Sequence, residues 1–256
     1  MSISNNSTID PSAILGNNVT IGPYTTIGPG VRIGDGTVVG PSAVIEKGTV
    51  IGKNCHIYHG ASLGGDPQIF GFKDVPSAVH IGDDTTIREF VTVQRSGTEN
   101  GITKIGNNCM LMNYAHVAHD CEIGNYVIVV NSTGLSGHVI VEDYAFVSGM
   151  VAVHQFVRIG TNSMIQGMSG IGQDVLPYAL VGGWPAKLVS LNSVGLRRRD
   201  FGPKVRTTLK SAFKILKDLE LNTTQAIEKI EREIEMSDEI RYLIDFVKSS
   251  KRGFVK

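Results

Sequence analysis

The sequence predicts a mainly β fold, a parallel β-helix of hexapeptide repeats followed by a small α-helical domain. Every sixth residue is aliphatic from Ile9 to Leu63, and the same frame returns from Ile105 to Ile171. A small or β-branched residue stands four positions after most of these aliphatic residues, and glycine often follows them directly. A period of six fits neither an α-helix nor an alternating strand, whereas fixed-period repetition is typical of solenoids.

Each hexad supplies one short strand and one corner. Three hexads close a triangular coil of about 18 residues, and successive coils stack about 4.8 Å apart, the ordinary spacing of paired strands. Residues about 18 positions apart are therefore expected to lie above one another, so that spacing in the sequence gives position in space.

Two segments interrupt the repeat and predict loops near residues 65–78 and 96–103. The first opens with the turn signal Gly64-Gly65-Asp66-Pro67, and the second places Glu99 where an inward aliphatic residue belongs. Loops on a regular scaffold are where binding residues tend to collect.

The solenoid is predicted to occupy residues 1–190 and the helical domain residues 191–256. We expect three helices that cover the flank or end of the solenoid. The first carries an apolar stripe, the second is capped by Thr223 or Thr224, and the third is capped by Ser237. The stripe of the first helix consists of Leu209, Phe213, Leu216 and Leu219.

Composition excludes several classes of protein. The formal net charge is zero, which argues against a nucleic-acid binder. The first ten residues have neither a cationic start nor an apolar run, so we expect no secretory signal, no membrane span and a cytoplasmic protein. Cys55, Cys109 and Cys121 all occupy the inward small-residue position and are expected to be buried thiols.

The 18-residue length of a coil predicts that several histidines lie on one edge of the solenoid. His119, Gly137 and Gln155 are 18 residues apart and should form a column, which His138 and His154 flank. Histidine clusters of this kind are rare outside functional sites. His116 should lie near the adjoining corner.

These residues suggest acyl transfer without a serine or cysteine nucleophile. A neutral His119 is suited to act as a general base near pH 7, and Asp120 could orient it and stabilise the imidazolium. Gly137 could bring its backbone N–H close to a developing oxyanion, because no side chain intervenes. The nucleophile would be a hydroxyl of the acceptor substrate.

A metal site is the competing interpretation. Three histidines from neighbouring coils could hold zinc with an open fourth position, as in the gamma-class carbonic anhydrases, which would make the protein a zinc-dependent hydratase.

Three motifs together resemble one enzyme family. The segment Leu111–Cys121, the pair Gly137-His138 and the segment Ala152–Phe156 are similar to those of the acyl-(acyl-carrier-protein):UDP-N-acetylglucosamine O-acyltransferases, which begin lipid A biosynthesis. The resemblance extends along essentially the whole chain. It implies a left-handed β-helix, a homotrimer with active sites between subunits, and no cofactor or metal.

The resemblance also implies the substrates. A 3-hydroxyacyl chain would pass from acyl carrier protein to the 3-position of UDP-N-acetylglucosamine with no covalent intermediate. His119 would deprotonate the 3-hydroxyl, Asp120 would orient His119, and the Gly137 N–H would stabilise the oxyanion.

The same resemblance assigns binding roles. Gly167 matches the position at which the family gauges the length of the acyl chain, and glycine there implies an open groove for a long chain, whose floor nearby Met164 would form. Contacts to the sugar nucleotide, the pantetheine arm or the carrier protein would come from Gln68, Lys73, His116, His138, His154, Gln155, Asn192, Arg198 and Arg199.

The first loop departs from the family pattern. The family commonly has Asp-Leu-Lys after the Pro-Gln pair, whereas Pro67-Gln68 is followed here by Ile69-Phe70-Gly71, and only Lys73 could substitute for the missing cation. This loss motivates an alternative acceptor, the 3-amino analogue of the sugar nucleotide, which would give an amide product.

Overall fold

Residues 1–256 are all described by a computed structural model, in which the chain forms a left-handed parallel β-helix followed by helices. The prism has three flat faces, here called A, B and C, which the chain visits in that order in every coil.

Each face is one sheet of very short strands, and all neighbours are parallel except the last pair of face A, β27 and β28. Face A contains β1 (Ser2–Ile3), β4 (Thr20–Ile21), β7 (Val38–Val39), β10 (His56–Ile57), β13 (Thr86–Ile87), β16 (Met110–Leu111), β19 (Ile128–Val129), β22 (Phe146–Val147), β25 (Met164–Ile165), β27 (Ala179–Gly182) and β28 (Lys187–Leu191). Face B contains β2 (Thr8–Ile9), β5 (Thr26–Ile27), β8 (Val44–Ile45), β11 (Ser62–Gly65), β14 (Thr92–Gln94), β17 (His116–Val117), β20 (Gly134–Leu135), β23 (Ala152–Val153) and β26 (Gly170–Ile171). Face C contains β3 (Ile14–Leu15), β6 (Arg32–Ile33), β9 (Thr49–Ile51), β12 (Ala78–Ile81), β15 (Ile102–Ile105), β18 (Glu122–Ile123), β21 (Ile140–Val141) and β24 (Arg158–Ile159).

The core is the stack of inward aliphatic residues that the repeat predicts. On face B, for example, Val117, Leu135 and Val153 pair in register and are almost completely buried. The small residues of the corners fill the remaining space, and several bond to the next coil. The Thr25 hydroxyl, for instance, donates to the Gly40 carbonyl over 2.7 Å.

Corners commonly contain a residue with positive φ, and at many of them that residue is not glycine. Asp120 (φ 59°), His138 (φ 61°) and Phe156 (φ 65°) occupy this position in three consecutive coils, at the edge between faces B and C. We call this the B–C edge. Backbone pairing with the adjacent coils holds these residues in a region of φ that L-residues disfavour.

Both interruptions of the repeat leave the solenoid at the B–C edge. The first loop, residues 66–77, connects β11 to β12, and the second loop, residues 95–101, connects β14 to β15. Strands β12 and β15 remain paired in register from Ala78 with Ile102 to Ile81 with Ile105. The loops therefore add surface at one edge without shifting the coils above or below.

The C-terminal segment contains four helices, one more than the sequence suggests. They are α1 (Ser193–Arg198), α2 (Pro203–Leu216), α3 (Thr223–Glu233) and α4 (Asp238–Ser249). The short α1 has too little apolar periodicity to be detected. None of the four combines the length and apolarity that crossing a bilayer requires.

Two details of the helix predictions are wrong. Asn222, and not Thr223 or Thr224, caps α3, because its side chain accepts from the Gln225 N–H in a capping box. Leu219 lies beyond the end of α2 and is exposed. The prediction of Ser237 as the cap of α4 is confirmed, since its side chain accepts from the Ile240 N–H.

Contacts with the solenoid fix α4 and the tail that follows it. The Tyr242 hydroxyl donates to Glu142 Oε2 over 2.8 Å, and the Arg158 guanidinium donates to the Phe246 carbonyl over 2.8 Å. Beyond the helix, the Val255 N–H donates to the Asp174 carbonyl, so the tail lies along the last coil at the B–C edge.

We predict that the three thiols are unreactive in the folded protein. Burial raises the pKa of Cys55, that of Cys109 to about 11 and that of Cys121 to about 12, so almost no thiolate exists at pH 8. A disulfide reagent should label no thiol in the native protein at pH 8 and three after unfolding in guanidinium. Rapid labelling of the native protein would contradict the packing of the inward corner positions.

Candidate functional site

The candidate site begins with His119 and Asp120 on the B–C edge. His119 Nδ1 lies 2.7 Å from Asp120 Oδ2, and the two side chains are 18% and 13% exposed. Because the carboxylate can only accept, Nδ1 carries the proton and Nε2 of a neutral His119 is left with a lone pair. This is the tautomer that a general base requires.

The Asp120 carboxylate remains ionised in this setting. Burial would raise its pKa, but hydrogen bonds from Ser96, His119 and the Gly97 N–H outweigh burial and lower the pKa below its ordinary value. These bonds to the ionised carboxylate therefore stabilise the folded protein at neutral pH, and this stabilisation is lost as the pH falls through the lowered pKa of Asp120. At neutral pH, the negative charge can stabilise a protonated His119.

Gly137 lies one coil further along the solenoid, directly beside the His119 ring. A Cβ on Gly137 would lie 2.6 Å from both Cε1 and Nε2 of His119, so only glycine fits next to this imidazole. The Gly137 N–H donates no hydrogen bond within the chain. It is available to an oxygen that approaches His119.

His138 and His116 lie on either side of the pair. The His138 ring is perpendicular to that of His119, with centroids 5.2 Å apart, and stacks on Phe156 at 4.6 Å. His116 Nδ1 is 2.7 Å from Thr92 Oγ1 on face B. Burial, and secondarily the nearby His119, lowers the pKa of His116, so it is neutral at pH 7.

His154 and Gln155 are exposed at the next corner of the same edge. The Arg252 guanidinium of the C-terminal tail lies 3.2 Å from His154 Nδ1. This contact joins residues 98 positions apart, and the repeat could not predict it because Arg252 lies in the tail, outside the coils.

The structure does not support the zinc interpretation. The side chains close enough to share an ion are His119, Asp120 and His138, with ligand atoms within 4.8 Å of one another. The third histidine of that interpretation, His154, faces Arg252 instead, and both Asp120 oxygens already accept hydrogen bonds from protein groups.

The first loop packs Ile69 against Gly97, which borders the His119–Asp120 pair. If Gly97 carried a Cβ atom, that atom would lie 2.5 Å from Ile69 Cδ1 and 3.5 Å from Asp120 Oδ2. Gln68 and Lys73, the residues predicted to bind substrate, are exposed and form no hydrogen bond or ion pair within the chain.

Arg95 holds this loop in place. Its side chain is 1% exposed and forms ion pairs with Asp66 and Asp74, while its Nη1 donates to the Val75 carbonyl over 2.6 Å. The guanidinium also lies over the Phe72 ring, 5.0 Å from its centroid. A buried arginine with these partners fixes both ends of the loop.

A second group of predicted residues lines a cavity of about 660 Å³ between face A and α1. Asn192, Arg198, Arg199 and Met164 all border it. The Asn192 side chain accepts from the Gly195 N–H and donates to the Asn162 carbonyl, which fixes the start of α1.

The two groups of residues do not meet within one chain. In a triangular prism, face A lies opposite the B–C edge, so the packed core separates the cavity at face A from His119. Gly167 lies at a third position, the corner between faces A and B. A site that uses all the predicted residues must therefore include two chains.

Sequence reasoning missed several residues at the B–C edge. Ser96, Arg95, Ile69 and Arg252 contact the site or its loops, but the first three lie where the repeat is interrupted and the last in the C-terminal tail. The interruption itself was the only available signal, since it marked the loops without showing which loop residues reach Asp120.

A histidine–carboxylate pair beside an unused backbone N–H on such a β-helix fits an acyltransferase of the hexapeptide-repeat class, and comparisons with known proteins show that class. The family model described as bacterial transferase hexapeptide repeats matches residues 1–34, 30–65 and 102–137, and the model of UDP-N-acetylglucosamine O-acyltransferase, domain 2, matches residues 174–255. The chain belongs to the acyl-(acyl-carrier-protein):UDP-N-acetylglucosamine O-acyltransferase family.

Individual relatives support this assignment. The enzyme of that name from Syntrophobacter fumaroxidans is 46% identical over 193 residues, 74% of each chain, and the one from Burkholderia mallei is 40% identical over 199 residues, 75% of this chain and 76% of that one. The crystal structure of LpxA, a UDP-N-acetylglucosamine acyltransferase from Bacteroides fragilis, matches with a TM-score of 0.96 and 39% identity over 99% of both chains. The Arabidopsis UDP-N-acetylglucosamine acyltransferase matches with a TM-score of 0.86 and 30% identity over 99% of this chain and 100% of that one. The names of the two curated relatives describe O-acyl transfer and support neither the 3-amino acceptor nor the hydratase.

We predict that Gly137→Ala reduces kcat by about a hundredfold or more, because the added methyl group would displace the His119 imidazole and crowd the oxyanion position. Steady-state acyl transfer measures the effect. Gly202→Ala is a suitable control, since a Cβ there meets no atom within 4 Å. Unchanged activity of the Gly137 variant would remove this residue from the site.

Proposed function

We propose that this protein transfers a 3-hydroxyacyl chain from acyl carrier protein to the 3-hydroxyl of UDP-N-acetylglucosamine, the first step of lipid A biosynthesis. The observation that carries the proposal is the His119–Asp120 pair beside the unused N–H of Gly137. Family membership supplies the substrates.

The reaction follows from the positions of these groups. His119 Nε2 removes the proton of the sugar hydroxyl as its oxygen attacks the thioester carbonyl. The Gly137 N–H donates to the tetrahedral oxyanion, and the negative Asp120 stabilises the imidazolium. When the intermediate collapses, the carbon–sulfur bond breaks and His119 returns the proton to the thiolate of the leaving carrier protein.

The remaining residues of the B–C edge are suited to bind substrate. We assign His116, His138, His154 and Gln155 to the sugar nucleotide or the pantetheine arm, because His116 lies on face B next to His119 and the other three lie on the B–C edge. Gln68 and Lys73 extend the same surface on the first loop. The loop is held by Arg95, so these exposed side chains project from a fixed backbone.

Asn192, Arg198 and Arg199 are assigned to the same substrate but from a neighbouring subunit. Guanidinium groups are suited to a diphosphate or to an acidic carrier protein. Because face A lies opposite the B–C edge, one chain cannot supply both parts, and a homotrimer with sites between subunits satisfies this requirement. In this proposal the solenoid domain, residues 1–190, supplies the general base, and the helical domain, residues 191–256, supplies the contacts to the nucleotide or the carrier protein.

The acyl chain has a candidate path along face B. Outward positions of successive strands carry only small side chains after His116, namely Gly134, Ala152 and Gly170 in register. Three coil spacings give a path of about 14 Å. Trp184 closes it, because its ring lies 2.8 Å from where a Cβ on Gly170 would stand.

Gly167 and Met164 occupy the coil at which this path ends. Gly167 is exposed at the adjoining corner, and Met164 projects from face A into the cavity next to Asn192. Across a subunit boundary, both could gauge the length of the chain. The three free thiols are all buried, which is compatible with the cytoplasm as the proposed compartment.

The proposal is tested by acyl transfer with a panel of acyl carrier protein thioesters and UDP-N-acetylglucosamine or its 3-amino analogue. We expect an ester product with the ordinary sugar that is insensitive to a chelator. His119→Ala should lower kcat by about 10²- to 10⁴-fold because the base is lost. No product with the ordinary sugar, or full activity of the variant, would overturn the proposal.

A mixing experiment tests the shared site. We predict that His119→Ala and Arg198→Ala, each nearly inactive alone, regain activity when their subunits are mixed in one trimer. Each mixed trimer then contains one site with both parts intact, which gives about one quarter of wild-type activity after equal mixing. If mixing restores nothing although the subunits exchange, the two residues do not belong to one intersubunit site.

A further inference from the structure

Ser96 in the second loop makes a contact that the reaction described above does not use. Its side chain is completely buried, and its hydroxyl donates to Asp120 Oδ1. The Thr98 N–H donates to the same hydroxyl oxygen over 3.0 Å. A hydroxyl has only one proton to donate, and Asp120 Oδ1 is much closer to it than the other possible acceptor, the Thr98 carbonyl at 3.4 Å, so the proton goes to the carboxylate.

The other carboxylate oxygen is also held. Asp120 Oδ2 accepts from His119 Nδ1 over 2.7 Å and from the Gly97 N–H over 3.2 Å. With donors on both oxygens, the plane of the carboxylate cannot rotate without breaking at least one bond. Ser96 supplies the only one of these bonds that reaches Oδ1.

Two further contacts fix Ser96 itself. The Ser77 hydroxyl donates to the Ser96 carbonyl over 2.7 Å, and Ser77 in turn accepts from Arg95 Nη1 over 2.8 Å. Arg95 is the buried residue that anchors the first loop through Asp66 and Asp74. The two loops therefore form one rigid support behind Asp120.

We propose that Ser96 is a positioning residue for the acyl-transfer reaction. Its hydroxyl holds the Asp120 carboxylate in the orientation in which Oδ2 receives the His119 Nδ1 proton, and so it keeps Nε2 directed at the acceptor hydroxyl. The proposal rests on the proposed function, because the readout is acyl transfer. A wild-type protein without activity would refute that function, whereas an active wild type that Ser96→Ala leaves unchanged would refute only the role of Ser96.

The first test compares Ser96→Ala with Ser163→Ala. Ser163 is a matched control, since it is also a fully buried serine at a corner of the solenoid but its hydroxyl has no partner. Loss of a hydrogen bond to a charged group should lower kcat of Ser96→Ala on the order of tenfold and leave KM within about twofold. Ser163→Ala should match the wild type, and equal losses in both variants would overturn the proposal.

A double-mutant cycle separates positioning from general packing. If Ser96 acts through Asp120, Ser96→Ala should change kcat by less than about twofold in an Asp120→Ala background. Effects that multiply would show that Ser96 acts on something else, and the proposal would fail.

The pH dependence gives an independent readout. The charged or titratable groups near Asp120 are His119, His138 and the thiol of Cys121, and burial raises the pKa of Cys121 to about 12, so this thiol stays neutral between pH 5 and 8. Removal of the Ser96 donor raises the pKa of the Asp120 carboxyl. The kcat of Ser96→Ala should therefore fall further below that of the wild type as the pH decreases from 8 to 5. A deficit of constant size across this range would indicate lost packing and would contradict the proposal.

Discussion

The in-register stacking of successive coils is the constraint on which the rest of the molecule depends. An inward aliphatic residue is buried only if the next coil places its own aliphatic residue directly above, as Val117, Leu135 and Val153 do on face B. The same register fixes the corners, so a backbone with positive φ at Asp120 is supported by the coils on both sides. The backbone of the His119–Asp120 pair is therefore held by the whole stack, whereas the second loop holds the Asp120 carboxylate through Ser96 and Gly97.

This dependence explains how much could be predicted from the sequence. The repeat predicted the parallel β-helix, the inward residues and the alignment of His119 with Gly137, because all of these follow from a constant period, whereas the left hand was predicted from the family resemblance. The repeat could not predict contacts made by residues that lie outside it, such as those in the two loops. Ser96 and Ile69 lie in loops, and the contacts of Ser96 with Asp120 and of Ile69 with Gly97 depend on how Arg95 holds those loops against the edge.

The C-terminal helical segment also could be predicted only in part from the sequence. Amphipathic periodicity was sufficient for the three longer helices, but α1 has six residues and is defined by the Asn192 cap. That cap also places Arg198 and Arg199 at the cavity on face A. Family resemblance predicted a binding role for these side chains, whereas their position opposite the B–C edge required the three-dimensional path of the chain.

The emergence of both loops at one edge has an evolutionary consequence. Strands β12 and β15 stay paired in register on either side of the loops, so a change in loop length or composition does not disturb the stacked core. Substrate preference can then diverge by loop replacement while thermodynamic stability stays with the coils. The Ile69-Phe70-Gly71 segment lies in one of these loops, and the architecture makes this edge the natural place to graft loops when a new acceptor specificity is designed.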